Sequence, residues 1–226
     1  MKRFWDQVGI VDGGILLDGR PVRTPGRLPL VLPTPALATL VADEWRAVTG
    51  EVDPHAMPAT GLANAAIERI APDPRAFAAG LAKYGETDLL CYRADTPAPL
   101  VERQVAAWDP PLNWARQRYD VRIETTAGIV HRPQPPATIA RLGEAIGAKV
   151  AWTLAALSPI VTITGSLVLG LALAEAAMTP DAVWAAARVD DDWQAEQWGE
   201  DALATATTAA HRRDFDAAAR FLAAVG

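Results

Sequence analysis

The chain changes character at Thr34-Pro35. The residues before that point are not helical in pattern; those after it are rich in alanine, leucine and charged residues, as helices require. GILLDGRPV predicts a strand, a turn at Asp18-Gly19 and a second strand, and Gly13-Gly14 falls at a hairpin. RLPLVLP predicts a further strand, with Pro29 and Pro33 marking an edge or the strand ends. A β unit this small needs something to pack against.

Beyond it the pattern predicts helices over Ala36 to Val48, Thr60 to Ile70, Pro74 to Cys91 and Ala98 to Tyr119. Asp109-Pro110-Pro111 is expected to bend or break the last of these. VRIETT, from Val121 to Thr126, reads as a short extended piece and HRPQPP as a turn. Helices then continue to the end, with breaks near Ser158, Thr179 and Arg212, and with starts at Thr179-Pro180 and Asp214. There is no repeat and no long linker. The fold class is α+β: a β-rich N-terminal domain over residues 1–50, packed on a larger, mostly α-helical domain over residues 51–226.

One segment raises a different possibility. No charge occurs between Lys149 and Glu175, a length that could span a bilayer. Ser158-Pro159 interrupts it, because the residue before proline is pushed out of helical geometry and Ser-Pro starts a new helix well. The expectation is two buried helices meeting at Leu157-Ser158-Pro159, with no stable membrane insertion.

Composition removes several function classes. A net charge of −6 over 226 residues argues against nucleic acid as a partner. Cys91 is the single cysteine, so neither an internal disulfide nor a cysteine zinc site can form. His55, His131 and His211 lack ligand-like spacing, and no metal site is expected from them. Walker and dinucleotide glycine motifs are missing. Arg20, Arg23 and Arg27 read as solvated hairpin residues, Ser158 and Ser166 sit in no nucleophile motif, and Cys91 reads as a buried small side chain. MKRFWDQVGIVDGG carries no secretory core or transit pattern, which points to the cytoplasm, and the arginine and alanine bias to a GC-rich bacterial coding sequence.

The segment DDDWQAEQWGED, Asp190 to Asp201, stands apart. It holds six carboxylates and two tryptophans in twelve positions with no basic residue. On a helix, Glu196 lies one turn from both Trp193 and Asp192. Trp193 and Trp198, five apart, point in different directions and are expected to anchor the helix on two sides. Such a cluster suits either a partner surface or, as the alternative, a metal-dependent or acid-base hydrolase using Asp192 and Glu196.

Seven segments together resemble one family, the assembly chaperones for the alpha subunit of F-type ATP synthase. They are LDGRPVRTP (Leu17 to Pro25), DEW (Asp43 to Trp45), MPATGLANAAIE (Met57 to Glu68), YGETDLLCYR (Tyr84 to Arg93), ERQVAAWDPPLNW (Glu102 to Trp114), GSLVLGLAL (Gly165 to Leu173) and DDDWQAEQWGED. TDLLCYR and WQAEQWGED are the specific ones. The chain departs from the family in following DEW with Arg46-Ala47-Val48, and it shows none of the import presequence of mitochondrial members. The resemblance implies a non-enzymatic chaperone without a cofactor, acting in the bacterial cytoplasm and expected to be monomeric when free. It would bind the free alpha subunit, prevent its aggregation and release it into the head. It places partner contact first on Glu196, with Asp192, Trp193 and Gln194 beside it, and next on Trp45, Glu44 and Asp88.

Overall fold

The structure, a computed structural model, describes residues 2–128, 130–199 and 201–226. It opens on a small antiparallel meander. β1 (Val8–Val11) pairs with β2 (Gly14–Leu17) across Asp12-Gly13, and β2 pairs with β3 (Arg20–Pro21) across Asp18-Gly19. Both turns have positive φ at both central residues, 49° and 77° at the first and 48° and 78° at the second. Asp-Gly adopts that geometry with little strain, so the predicted strand, turn and strand are present. RLPLVLP differs from expectation. Pro29 and Val31 make isolated bridges to Arg23 and Gly14 and no continuous strand forms, since Pro29 and Pro33 bring no N–H to a ladder.

α1 (Pro35–Ala47) begins one residue before the predicted start. Thr34 Oγ1 accepts from the Leu37 N–H at 3.1 Å, and Pro35 takes the first helical position. Leu37, Val41 and Trp45 lie on its buried face and share a core with Trp5, Ile15 and Leu17. α2 (Pro58–Ala65) continues through a π-helical turn to Ile70. α3 (Pro74–Ala82) is shorter than the pattern predicts. Tight 3₁₀ turns at Lys83–Gly85 and Leu89–Cys91 replace its second half. The chain there bends around two fixed points. A Cβ at Gly85 would lie 3.3 Å from Leu167, and Asp88 caps the second turn through the Leu90 N–H.

β4 (Tyr92–Arg93) leads into α4 (Ala98–Tyr119) and pairs in parallel with β5 (Thr126–Ala127), so of VRIETT only the last residue joins a strand. α4 is one helix across Pro110 and Pro111, so of the bend or break expected there the break does not occur. The prolines delete two helical hydrogen bonds, and burial of Trp108, Leu112 and Ala115 offsets that loss. α5 (Pro136–Gly147) follows.

α6 (Ala151–Thr164) and α7 (Leu167–Ala174) form the buried pair predicted for the uncharged stretch, but the break is displaced. α6 passes through Ser158-Pro159 without interruption; the chain turns at Gly165, φ 64°, and Ser166 caps α7 by accepting from the Leu169 N–H at 3.0 Å. Glycine's tolerance of positive φ and a serine cap outweigh one proline within a fully packed helix. Among the described residues no helix is long and apolar enough to cross a membrane. α8 (Pro180–Ala187) starts at Thr179 as predicted. α9 (Val189–Trp198) carries the acidic segment. α10 (Ala202–Val225) runs unbroken through Arg212 and Asp214, where a break and a new start were expected.

The fold is therefore α+β, a small β region followed by helices. The chain divides into two compact units. One comprises the N-terminal segment through Pro74 with Val150–Ala156 and Asp216–Gly226; the other comprises Arg75–Lys149 and Leu157–Phe215. The boundary expected after residue 50 falls inside the first unit, whose core includes Met57, Ala59 and Ala63.

Candidate functional site

The second unit contains the acidic helix. Asp190, Asp191 and Asp192 occupy the first turn of α9, where carboxylates meet the positive end of the helix dipole. That accounts locally for three of the acids. Arg188, just before the helix, reaches forward to Asp191 at 2.8 Å and to Asp192 at 3.2 Å. Gln104 of α4 donates to Asp190 at 2.7 Å while its own carbonyl oxygen accepts from the Ala94 N–H. Trp108, also on α4, donates its indole N–H to the Ala186 carbonyl at 2.7 Å. α4 thereby fixes α8 and the start of α9 together.

Glu196 accepts from Arg103 Nη1 at 2.8 Å, and the same guanidinium lies over the Trp193 ring, 4.9 Å from its centroid. The Arg103 hydrogen bond holds the Glu196 carboxyl below the usual carboxylate range. So the predicted trio of Asp192, Trp193 and Glu196 does share one face, and each member has an arginine against it. Gln194 is exposed on the same helix. Trp193 is half-buried beneath Arg103, but Trp198 is 79% exposed, where an anchoring side chain was expected. Leu203, at the start of α10, is exposed to 75%.

Beside this face runs a cavity of about 690 Å³. Ala106, Ala107, Pro110, Pro111 and Trp114 of α4 make one wall; α8 and Met178 contribute more apolar surface; Arg103, Asp192 and Glu196 supply the charge. Sequence reasoning missed this groove and both arginines. Arg188 was within reach of a helix-spacing argument, standing three and four residues before its partners. Arg103 was not, being 93 residues from Glu196.

The other predicted contact residues lie elsewhere. Glu44 accepts from the N–H groups of Ala59 and Thr60 and from the Thr60 hydroxyl, at 2.6 to 2.7 Å, and so caps α2 from α1. Trp45 is buried against Trp5, ring centroids 5.3 Å apart. Asp88 is 1% exposed and accepts from the Leu90 and Val168 N–H groups, capping α7. These three are bound up in the fold of their own units.

The hydrolase alternative finds no support in the donor set. Asp192 and Glu196 are each engaged by an arginine, and among the described residues no three His, Cys, Asp or Glu side chains converge as metal ligands.

Comparison with known proteins agrees along the chain. A family profile described as ATP12 chaperone protein matches residues 2–116. The crystal structure of Atp12 from Paracoccus denitrificans is similar with a TM-score of 0.94 and 42% identity, over 100% of this chain and 98% of that one. A candidate chaperone from Agrobacterium tumefaciens is similar with a TM-score of 0.92 and 42% identity, over 100% of this chain and 86% of the other.

Proposed function

Because the chain belongs to the ATP12 chaperone protein family, and so is a chaperone of ATP synthase assembly, we propose that its client is the free alpha subunit of the F-type enzyme. It binds that subunit, keeps it from aggregating and releases it into the catalytic head. It does so without catalysis or a cofactor, as a monomer in the bacterial cytoplasm, with neither nucleic acid nor membrane as partner.

The observation that carries this reading is the α9 surface. An apolar groove, an exposed Trp198 and the carboxylates of Asp192 and Glu196 occur within one unit. Subunits of a ring are made with large apolar interfaces that aggregate until neighbours cover them. A chaperone must cover such a surface and then let go. Aromatic and apolar groups supply burial, while rim charges orient the encounter and add little net affinity. We assign client contact to Glu196 with Asp192, Trp193 and Gln194. Glu44, Trp45 and Asp88 serve it indirectly, through the packing they hold.

The test is light scattering of freshly diluted alpha subunit with and without this protein, followed by gel filtration. Suppressed scattering and a co-eluting complex that dissolves on adding beta subunit are expected. Undiminished scattering with no complex would overturn the assignment of the client.

A further inference from the structure

Arg103 is bound entirely within the surface to which the client has been assigned. Its guanidinium donates to Glu196 at 2.8 Å and covers Trp193 at 4.9 Å, yet its side chain is 45% exposed and that of Glu196 51%. It is neither buried nor part of a core. It has one carboxylate, one aromatic face and solvent, an arrangement that a guanidinium from another molecule could reproduce atom for atom.

The groove next to it has a matching chemistry. Pro110 and Pro111 stand one helical turn after Ala106 and Ala107 on α4. All four residues line the groove. Its wall is apolar in side chains, and Glu196 and Asp192 add carboxylates. A ligand that satisfies this set is apolar in body and carries positive charge.

We propose that the groove between α4, α8 and α9 receives an apolar segment of a protein client bearing a guanidinium or ammonium group, and that Arg103 is the chain's own stand-in for that group. The partner's cation displaces Arg103 from Glu196 and Trp193 when it binds, and Arg103 takes the place back when the client leaves. This rests on the reading of α9 as the client surface and adds to it the chemistry of the client and a means of release. An exposed ion pair is weak, so the internal competitor lowers client affinity modestly and leaves binding reversible.

The test uses two synthetic helical peptides of leucine and alanine, one carrying a single arginine and the other citrulline at that position. Binding to the full chain is followed by titration calorimetry for the unmodified protein, Arg103→Ala, Arg103→Lys and Glu196→Gln. The arginine peptide should bind Arg103→Ala more tightly than the unmodified protein, by roughly two- to fivefold, the worth of an exposed ion pair. Arg103→Lys should gain less, Glu196→Gln should erase the preference for arginine, and the citrulline peptide should gain little from any change. Equal or weaker binding by Arg103→Ala, equal binding of the two peptides, or no binding of either would overturn the proposal. Aggregation of the alpha subunit is assayed in parallel. Protection without the Arg103→Ala gain would leave the client assignment standing and remove the competitor. The gain without protection would do the reverse.

Discussion

Gly170 of α7 stands so close to Val161 of α6 that a Cβ added there would lie 2.6 Å from the valine Cγ2. Both residues are buried, and the contact sets how closely the two helices approach. Gly170→Ala would gain helix propensity in isolation, but overpacking a filled core costs more. A loss of about 1–3 kcal/mol is expected in urea unfolding. The double variant Gly170→Ala, Val161→Ala should recover part of it, since it removes the clashing methyl. No loss in the single variant would mean that the helices separate freely.

Glu44 makes a second structural claim testable. It supplies the cap that Met57, at the N-cap position of α2, cannot make with its own side chain. Glu44→Ala leaves two backbone N–H groups and the Thr60 hydroxyl without this acceptor. The expected loss is about 1–2 kcal/mol, seen as a fall of several degrees in melting temperature. An unchanged melt would show that solvent replaces the carboxylate at no cost.

How far these features were legible depended on whether their cause is local. The Asp18-Gly19 turn, the Thr34-Pro35 start of α1 and the Thr179 start of α8 are written in neighbouring residues, and each is where its signal stands. The Ser158-Pro159 and Asp214 signals are local too, but there packing and helix continuity outweighed them. The acidic segment was conspicuous by itself. What completes it, Arg103 and the Pro110-Pro111 wall, depends on how distant parts of the chain fold together, and pattern along the sequence carries no such information. The bare acidic face that the sequence suggested is in fact partly neutralised by Arg103 and Arg188.

Cys91 is 2% exposed, and burial, with Asp88 nearby, pushes its thiol up to about 12. At pH 8 only about one thiol in ten thousand is then ionised, and the thiolate is the reactive form. Maleimide or a disulfide reagent should leave the folded protein unmodified for hours and react fully in denaturant. Rapid labelling in native buffer would place Cys91 in an open environment.

Burial raises the Asp88 carboxyl from 3.8 to about 6, against the hydrogen bonds it accepts at the start of α7. Between those two values the folded chain holds a proton that the unfolded chain has released. Stability from this group is therefore present below about pH 4 and is lost as pH rises through 6. Acidifying from pH 7 to 5 should stabilise the unmodified protein relative to Asp88→Asn, by on the order of 1 kcal/mol per pH unit inside the window. Melting temperatures of the two proteins across that range give the answer. A gap that stays constant with pH would show that Asp88 does not titrate there.

Glu196→Lys tests the client surface most directly. It places a second cation against Arg103, so the ion pair becomes a repulsion and the guanidinium is driven off Trp193. The site is on the surface, so the fold should survive, with a change in stability within about 0.5 kcal/mol. Protection of the alpha subunit should be lost, because a like charge facing the client's cation costs more than the missing attraction. Glu196→Gln removes the carboxylate without adding repulsion and should fall between the two. Light scattering with all three proteins, each checked by circular dichroism, therefore yields a graded series. If the folded lysine variant still suppresses aggregation fully, Glu196 does not meet the client, and the contact lies on another surface of the chain.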